Sequence, residues 1–343
     1  MRRRLGVLVV GLGLTAGAAC SAGPSEQALQ EAPPPSVTRT ASAEPFPGLE
    51  EGDELTLEDV EAVEPAPGLD EDAAADLAEL AEQQAEEQRE QRAGVPSYDG
   101  SPVEGADISW PNCETGLGIP QRRTLGLPMP LPAARYVVVG LTNGPGFYPN
   151  PCLADQVAWV RERSLLLSAY AVVSYPSPEE LERFGGSGPY DADTAAGALS
   201  NTGYQQALYH SRSMRETGLD TPLVWVDVEP VRDFEWSADT EANAAVVAGT
   251  VRGYRDAGYD IGVYSTPYLW DTIVGEYSLE VPEWRAAGPS SRSAALGKCE
   301  DAADLSIQGG EPVLAQWVDG NRDRNLTCPG VSRDLGRYFA ATG

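Results

Sequence analysis

Ala134-Arg-Tyr-Val-Val-Val-Gly-Leu141 is a run of strand-forming residues, and Leu165–Ser174, with the sequence LLLSAYAVVS, is a second. Neither run shows the polar alternation of a half-exposed strand, and continuous apolar runs are typical of strands buried on both faces. Residues 153–163, between the two runs, are predicted to form a helix. A strand, a helix and a second buried strand in this order indicate a parallel β-sheet.

The same alternation extends in both directions along the chain. The further strands are predicted at residues 105–109, Leu223–Val228, Asp260–Ser265, 283–287 and 313–318, and the further helices at Asp191–Glu216 and Ala238–Ala257. About seven or eight strands in one α/β domain favour a closed, TIM-like (β/α) barrel. An open doubly wound sheet is the alternative, although no Gly-rich phosphate loop follows any of the strands.

The first twenty residues have the composition of an export signal. Arg2, Arg3 and Arg4 are followed by a short apolar run, Leu5–Leu14, and then by small residues that lead to Cys20. A basic start, an apolar run too short to span a bilayer and small residues are typical of a signal peptide. The cysteine resembles that of a bacterial lipobox, so we expect residues 1–19 to be removed and Cys20 to be lipidated. Ordinary cleavage near Ala19, with Cys20 as a free thiol, is the alternative.

Residues 20–102 are predicted to be a disordered acidic linker ahead of a barrel domain at 103–343. The formal net charge of the chain is −28, and residues 21–100 contain 21 acidic and three basic side chains. Such segments, rich in Pro, Ala and Gln and poor in aromatic residues, bury too little apolar surface to fold. A segment of this charge repels nucleic acid, so we expect no nucleic-acid partner.

The cysteine content supports export. Apart from Cys20, the chain has four cysteines: Cys113, Cys152, Cys299 and Cys328. Four cysteines in an exported protein indicate two disulfides with three alternative pairings, of which we favour Cys113–Cys152 and Cys299–Cys328. The single histidine, His210, lies in a predicted helix and is expected to serve packing or the surface. With one histidine and no Cys-x-x-Cys, we expect neither a metal site nor a cofactor.

Acidic residues at predicted strand ends are the candidate catalytic groups. Asp107 lies on the first strand, and Asp227 and Glu229 end the strand that begins at Leu223. Residues two apart on a strand share a face, with Cβ atoms roughly 6–7 Å apart. The catalytic groups of (β/α) barrels lie at the carboxyl ends of the strands, and paired carboxyl groups there suit glycoside hydrolysis. A solvated strand terminus before Pro230 is the alternative interpretation.

Aromatic residues recur at or just beyond the predicted strand ends. They are Trp110, Tyr170, Tyr175, Trp225, Tyr264, Tyr268, Trp270 and Trp317. Aromatic faces around carboxylates suit stacking on sugar rings, and Trp110, Tyr170, Tyr264 and Trp317 are the substrate-binding candidates. Core packing is the alternative for about half of the set, and it is the favoured role of Trp159 and Trp284.

These motifs together resemble glycoside hydrolase family 25, the Chalaropsis-type lysozymes. Gly105-Ala-Asp-Ile-Ser109 is similar to the first strand of that family, Trp225-Val-Asp-Val-Glu229 to its Asp-x-Glu strand, and Gly262–Trp270 to its fifth-strand segment. The resemblance covers about residues 103–330. It implies an irregular (β/α) barrel that cleaves the MurNAc–GlcNAc β-1,4 bond of peptidoglycan.

The resemblance also implies roles for individual residues. Glu229 corresponds to the acid/base, Asp227 to a carboxylate that assists through the N-acetyl group of the substrate, and Asp107 to a subsite acid. Residues 316–325 (QWVDGNRDRN) resemble the closing strand, where Asp323 matches the Asp-x-Asn pattern and Asp319 is the alternative.

The chain departs from the family after its second strand. The family has a Lys and a Thr-Glu-Gly there, whereas this chain has Gly140-Leu-Thr-Asn143-Gly, without the acid. The sequence therefore resembles a divergent, actinobacterial-type lipoprotein subgroup. Three functions remain open: a muramidase-like hydrolase on the outer face of the membrane, an inactive module that binds peptidoglycan or another wall polysaccharide, and a scaffold for a protein partner.

Overall fold

The computed structural model describes residues 94–342, and these form a closed β-barrel surrounded by helices. The predicted signal peptide, Cys20 and most of the predicted tether lie outside the described residues. The strands are β1 Glu104–Ile108, β2 Tyr136–Gly140, β3 Leu166–Val172, β4 Leu223–Asp227, β5 Asp260–Ser265, β6 Glu283–Pro289, β7 Pro312–Asp319 and β8 Arg322–Thr327. The predicted α/β barrel is therefore confirmed, and the open doubly wound sheet is wrong.

The barrel is parallel from β1 to β7 and closes through one reversed strand. β8 pairs antiparallel with β7 and with β1, which joins the two ends of the sheet. β7 and β8 form a tight hairpin whose turn contains Gly320 at a φ of +66°. The strand predicted at residues 313–318 corresponds to β7, whereas β8 was not predicted. The segment 316–325, which resembles the closing strand of the family, is divided in two by this left-handed turn.

Six α-helices connect the strands within residues 94–342. They are α1 Leu153–Arg161, α2 Pro178–Phe184, α3 Ala195–Thr217, α4 Thr240–Asp256, α5 Pro267–Val274 and α6 Arg292–Gly297. The three predicted helices correspond to α1, α3 and α4. The short helices α2, α5 and α6 were not predicted, and each begins at a Ser or Thr whose side chain accepts a hydrogen bond from the first turn. None of the helices in this part of the chain combines the length and the apolar composition needed to cross a bilayer.

Large aromatic side chains fill the barrel interior. Trp225 and Trp284 lie with their ring centroids 5.9 Å apart, and both are almost fully buried. Glycines on neighbouring strands make room for such rings, since a Cβ on Gly262 would lie 2.3 Å from the Trp225 ring. A Cβ on Gly105 would lie equally close to the ring of Tyr136. The aromatic layer supports the acidic residues above it.

The C-terminal segment closes the lower end of the barrel. Phe339 packs on Tyr136 with ring centroids 4.5 Å apart, and Ala340 bridges to Leu167 on β3. This segment also holds residues that the sequence assigned to the tether, because the Tyr98 N–H donates a 2.9 Å hydrogen bond to the Ser332 carbonyl oxygen. Ordered contacts therefore begin ahead of the predicted boundary at residue 103.

Both predicted disulfides are confirmed. Cys113–Cys152 joins the segment after β1 to the start of α1, and Cys299–Cys328 joins the end of α6 to the end of β8. The first bridge closes a sequence separation of 39 residues. It anchors the long β1–β2 connection beside the open end of the barrel.

Candidate active site

Four carboxyl groups meet at the carboxyl end of the parallel strands. Asp107 is on β1, and Asp323 is the second residue of the reversed strand β8. Asp227 is the last residue of β4, and Glu229 lies two residues further along the chain. Each of them interacts electrostatically with at least one of the others. The structure therefore brings together Asp107, Asp227 and Glu229, which sequence analysis had placed at separate strand ends.

Asp107 is held rigidly inside the barrel. Its Oδ1 accepts a hydrogen bond of 3.0 Å from Nε2 of Gln316 and one of 2.7 Å from Nδ2 of Asn325. Burial, together with the nearby Asp323, raises the pKa of Asp107 to about 8, although both hydrogen bonds favour its ionised form. Burial in the barrel therefore disfavours the ionised form of Asp107.

Asp227 is buried at the barrel mouth with an unused hydrogen-bonding atom. Among residues 94–342, its Oδ1 has no hydrogen-bond partner. Burial raises the pKa of Asp227 well above its ordinary value, and the charges of Glu229 and Asp107 raise it further. A buried polar atom without a partner destabilises the folded state by about 1–3 kcal/mol. The hydrogen-bonding capacity of this oxygen is therefore unused among the described residues.

Glu229 lies at the edge of the mouth and is partly exposed. Burial raises its pKa, the charge of Arg122 lowers it, and the charge of Asp323 raises it. Its backbone oxygen accepts a 3.0 Å hydrogen bond from the indole N–H of Trp236, which fixes the segment after β4. A carboxyl group with a raised pKa at an accessible edge can donate a proton to a bound molecule.

The structure decides between the two alternatives on the closing hairpin. Asp323 faces the cluster, and burial raises its pKa. Asp319 is exposed instead, and it forms a 2.9 Å ion pair with Arg324. Asp323 is therefore the hairpin acid at the mouth.

Two half-buried tyrosines line the mouth. The hydroxyl of Tyr264 on β5 donates a 2.7 Å hydrogen bond to Oε1 of Gln316. Because Gln316 also donates to Asp107, these three side chains form a chain of hydrogen bonds across the barrel. Tyr170 on β3 is the second tyrosine, and its ring lies edge-on to that of Trp284 with centroids 5.8 Å apart. Sequence analysis named both tyrosines, but it gave Gln316 no role.

One of the substrate-binding assignments from the sequence, Trp317, is wrong. Trp317 is only 2% exposed and packs with Ala295 of α6 on the outside of the barrel. It faces outward because Gln316 faces inward, and successive strand residues face opposite sides. Trp225 lies in the middle of β4 and is fully buried, so it belongs to the core, as does Trp270 of α5.

The remaining aromatic residues are distributed between the core and the surface. Trp284 is in the core, as predicted, whereas Trp159 is only half-buried, with Arg163 over its ring. Trp110 lies just beyond β1 and is half-buried at the rim. Tyr268 is 74% exposed on α5. Of the four substrate-binding candidates, Trp110, Tyr170 and Tyr264 thus remain accessible from the mouth.

Sequence analysis missed the one basic group that interacts with Glu229 in the described chain. Arg122 is on the β1–β2 connection, with its guanidinium carbon 5.6 Å from the Trp110 ring centroid and 5.9 Å from that of Phe234. Its Nη2 donates a 3.0 Å hydrogen bond to the carbonyl oxygen of Arg232. No strand or helix periodicity marks this connection, so the sequence held no signal for its position.

Asn143 does not take the place of an acid in the mouth. Its side chain is fully buried, its Oδ1 accepts a 2.7 Å hydrogen bond from the Ile119 N–H, and its Nδ2 donates a 3.0 Å bond to the Arg122 carbonyl oxygen. The amide therefore joins the end of β2 to the β1–β2 connection. Its role in the structure is to hold that connection.

His210 has a packing role, as predicted. Its Nδ1 lies 2.6 Å from the Tyr254 hydroxyl and its Nε2 lies 2.7 Å from the Gly146 carbonyl oxygen. Burial lowers the pKa of His210 to about 4. Among residues 94–342, no group of three or more His, Cys, Asp or Glu side chains has a metal-binding arrangement.

Comparison with known proteins confirms the resemblance seen in the sequence. The family described as lysozyme-like protein 1 matches residues 194–287, which include Asp227 and Glu229. A probable GH family 25 lysozyme 4 from Dictyostelium discoideum is 33% identical over 120 residues, or 34% of this chain and 49% of the relative. The chain thus spans about half the length of this curated relative. The match to the lysozyme-like protein 1 family includes the Asp-x-Glu strand.

Solved structures show a weaker similarity. The catalytic domain of endolysin ply40 from bacteriophage P40 of Listeria monocytogenes is 13% identical, over 70% of this chain and 100% of that chain, with a TM-score of 0.41. A family 25 glycosyl hydrolase from Bacillus anthracis is 11% identical, over 68% and 92% of the two chains, with a TM-score of 0.40. The assignment of the barrel rests on the strand pairing of this chain itself.

Proposed function

We propose that the barrel domain is a glycoside hydrolase that cleaves β-1,4 bonds in the glycan of peptidoglycan, as a muramidase does. The observation that carries this proposal is the pair formed by Asp227 and Glu229. Asp227 is buried with a free Oδ1, and Glu229 stands beside it at the accessible edge. The match of the lysozyme-like protein 1 family to a segment that contains both residues supports the same chemistry, as does the similarity of the chain to a family 25 lysozyme.

Glu229 is the proton donor in this proposal. Its raised pKa keeps a proton available for the glycosidic oxygen, so that the leaving sugar departs as a neutral alcohol. The same carboxylate then removes a proton from the water that attacks the sugar carbon. Glu229 thereby returns to its protonated form at the end of the cycle.

Asp227 assists through the N-acetyl group of the substrate. The acetamido oxygen attacks the sugar carbon as the glycosidic bond breaks, and the free Oδ1 accepts a hydrogen bond from the acetamido N–H. The attacking water then displaces the acetamido oxygen from this carbon, which restores the N-acetyl group. Substrate-assisted hydrolysis of this kind is an established alternative to a protein nucleophile. A substrate without an N-acetyl group should therefore react poorly.

The remaining groups position the sugar. Tyr264 and Tyr170 line the mouth, Trp110 offers a ring face at its rim, and Asp107 and Asp323 provide hydrogen-bonding groups below. Aromatic faces beside polar groups are the usual means of binding an amphipathic ring. No cofactor takes part in this proposal.

The proposal is tested by incubating the purified protein with insoluble peptidoglycan and measuring the release of reducing ends. Wild-type protein should release them, and Glu229→Gln should reduce the rate by about 10²–10⁴. Glu235→Gln, in the same loop but exposed, is the matched control and should retain the wild-type rate. Absence of release by wild-type protein from peptidoglycan and from chitin oligomers, at any pH from about 4 to about 8, would refute hydrolysis.

A wall-binding protein without turnover is the second candidate function. It is favoured by Asn143, because the family has an acid in this part of its sequence, whereas the buried amide of this chain is bonded to the β1–β2 connection instead. If this function is correct, the protein should co-sediment with insoluble cell wall, and Glu229→Gln should co-sediment to the same extent. Neither protein should release reducing ends. Release of reducing ends by the wild-type protein would exclude it.

We further propose that the protein is exported and attached by a lipid on Cys20 to the outer face of the cell membrane, within the cell wall. The order of basic, apolar and small residues ahead of Cys20 supports this proposal. A predicted tether of about 80 residues has a root-mean-square span on the order of 50 Å. Metabolic labelling with a radioactive fatty acid should mark the wild-type protein, and labelling that persists in Cys20→Ala would contradict it.

A further inference from the structure

A chain of hydrogen bonds crosses the barrel from the aromatic layer to the mouth. It runs from Trp284 through Asn325, Asp107 and Gln316 to Tyr264, over distances of 2.8, 2.7, 3.0 and 2.7 Å. These side chains come from five different strands, so the chain exists only once the strands are assembled. Four of its members are buried, and Tyr264 is the one that is partly exposed. A ligand in the mouth therefore reaches the exposed end of the chain at Tyr264.

The indole of Trp284 fixes the direction of the first two bonds. An indole nitrogen donates a hydrogen bond and cannot accept one. Oδ1 of Asn325 therefore accepts from Trp284, and Nδ2 of the same amide donates to Oδ1 of Asp107. The orientation of the Asn325 amide thus follows from the chemistry of its neighbour.

The direction is passed on through Gln316. When a carboxyl group is protonated, the oxygen that carries the hydrogen is a poor acceptor, so the Asp107 oxygen that accepts from Asn325 is the one without hydrogen. Only the NH2 end of the Gln316 amide can bond to such an oxygen. The other end, Oε1, then faces the hydroxyl of Tyr264 and accepts its hydrogen. All four bonds therefore point towards Asp107.

The hydroxyl of Tyr264 is left with only an acceptor for the mouth. A tyrosine hydroxyl has a single hydrogen, and Gln316 accepts that hydrogen. The ring is held in place as well, because it packs against Trp284 with ring centroids 4.6 Å apart. Turning the hydroxyl hydrogen towards a ligand would leave Oε1 of the buried Gln316 without its donor, which is unfavourable.

We propose that Gln316 is a positioning residue that commits the hydroxyl hydrogen of Tyr264 to the barrel interior and so makes Tyr264 a selective acceptor in the mouth. A bound sugar then meets Tyr264 with a hydrogen-bond donor, which is a hydroxyl or an acetamido N–H. An ether oxygen or a carboxylate at the same place would set two acceptors against each other, so such a ligand is rejected. This inference rests on the proposed function in that the ligand is a sugar, whereas the direction of the bonds does not depend on it.

Neutron diffraction from a deuterium-exchanged crystal of the wild-type protein tests the direction of the bonds. The map should show deuterium on the Tyr264 oxygen pointing at Oε1 of Gln316, and the deuterated NH2 group of Gln316 beside Asp107. The reverse arrangement, in which Gln316 donates to Tyr264, would overturn the proposal. This measurement requires neither a ligand nor turnover.

Ligand binding tests the selectivity of Tyr264. The probes are the trimer of N-acetylglucosamine and derivatives in which one hydroxyl is replaced by fluorine, or one acetamido N–H by an ester oxygen, so that the donor is lost. Binding is measured by calorimetry in the Glu229→Gln background, which blocks the proposed turnover. One derivative should bind about 3- to 10-fold more weakly than the trimer, and this loss should disappear when Tyr264→Phe is added.

Two substitutions of Gln316 separate positioning from packing. Gln316→Met has a similar length but no acceptor, so it frees the Tyr264 hydrogen and should reduce the difference between the trimer and that derivative. Gln316→Glu keeps an oxygen for the Tyr264 hydroxyl and should retain the difference. The matched control is Gln205→Met on the outer helix α3, where the Gln205 amide donates a 2.6 Å bond to the Ser187 carbonyl oxygen, and it should bind every probe as wild type does.

Several binding results would contradict the proposal. They are a loss that persists in Tyr264→Phe, equal weakening of all probes in Gln316→Met, and absence of any weakened derivative. Absence of binding by the trimer itself would refute sugar recognition by Tyr264. If Gln316→Met does not fold, the neutron map and Tyr264→Phe decide.

The outcomes also separate this inference from the proposed function. If wild-type protein releases no reducing ends but the neutron map shows the stated direction, the proposed hydrolysis fails while the positioning of Tyr264 by Gln316 stands. If hydrolysis is observed and the map shows the reverse direction, the proposed function stands and this inference fails.

Discussion

Asn325 connects Asp107 to Trp284 inside the barrel. Its Nδ2 donates a 2.7 Å hydrogen bond to Oδ1 of Asp107, and its Oδ1 accepts a 2.8 Å bond from the indole N–H of Trp284. One amide on the reversed strand thereby orients an acid on β1 and fixes the largest ring on β6. The mouth and the aromatic layer beneath it form one connected network.

The stability of the domain should depend on the ionisation of Asp107. Its folded-state pKa of about 8 is far above its unfolded value, so the favourable contribution of the protonated form is present below about pH 4 and is lost as pH rises to 8. Asp107→Asn keeps an acceptor for Asn325 and cannot ionise. Near pH 8 it should raise the unfolding free energy by a few kcal/mol, on the order expected for such a shift.

Chemical denaturation at pH 4, 6 and 8 measures this effect. The difference between Asp107→Asn and wild type should grow with pH across that window. A constant difference would contradict the assignment. Asp319→Asn is the control, since Asp319 is exposed and should give only a small, pH-independent change.

The pH dependence of hydrolysis should follow Asp323. The charge of Asp323 helps to raise the pKa of Glu229, and Glu229 must be protonated to donate. Asp323→Asn removes that charge, so the alkaline limb of kcat/KM should move to lower pH. The limb reports a value that belongs to the coupled cluster as a whole. Asp319→Asn serves as the control again, and a limb that stays in place or moves upward in Asp323→Asn would be inconsistent with this arrangement.

Restoring an acid at position 143 should not improve the site. Asn143→Asp loses the donor to the Arg122 carbonyl oxygen and buries a carboxylate in its place. We expect the unfolding free energy to fall by about 1–3 kcal/mol, with no gain in hydrolysis. Thermal unfolding and the reducing-end assay measure the two effects, and Asn321→Asp in the exposed β7–β8 turn is the control. A gain in hydrolysis would show that side chain 143 reaches the substrate.

The titration of His210 tests whether the contact of its ring with Tyr254, between helices α3 and α4, is buried. It is the single histidine of the chain, so its ring resonances can be assigned without mutagenesis. They should titrate near pH 4 in the folded protein, because burial lowers the pKa. The neutral ring therefore stabilises the fold above pH 6.5, by about 3 kcal/mol, and this contribution is lost as pH falls towards 4. Titration near 6.5 would mean that the ring is solvated.

The candidate acids were predictable because barrel geometry is regular. Strands that run parallel present their carboxyl ends at one edge, so Asp107 and Asp227 could be placed together from strand positions alone. The same regularity identified the buried strands through their unbroken apolar runs. Local rules of this kind apply to each strand separately and need no long-range information.

The orientation of side chains on the β7–β8 hairpin and the position of the β1–β2 connection were not predictable, because both depend on long-range contacts. Trp317 and Asp323 face the outside and the mouth according to the register of β7 on β8, and a shift of one residue would reverse both. Arg122 lies on a connection without periodicity, which is held by Asn143 and by the Cys113–Cys152 bridge. These positions depend on contacts between segments distant in the chain.

The sequence by itself determined the class of fold, the disulfide-forming cysteines and the acids at the strand ends, because periodicity and residue type act over a few neighbouring positions. Only the tertiary structure decided which acids meet, which aromatic rings remain partly exposed and where the β1–β2 connection with Arg122 lies. Burial, register and electrostatic interaction are properties of residues brought together from different strands, and they arise only when the barrel closes.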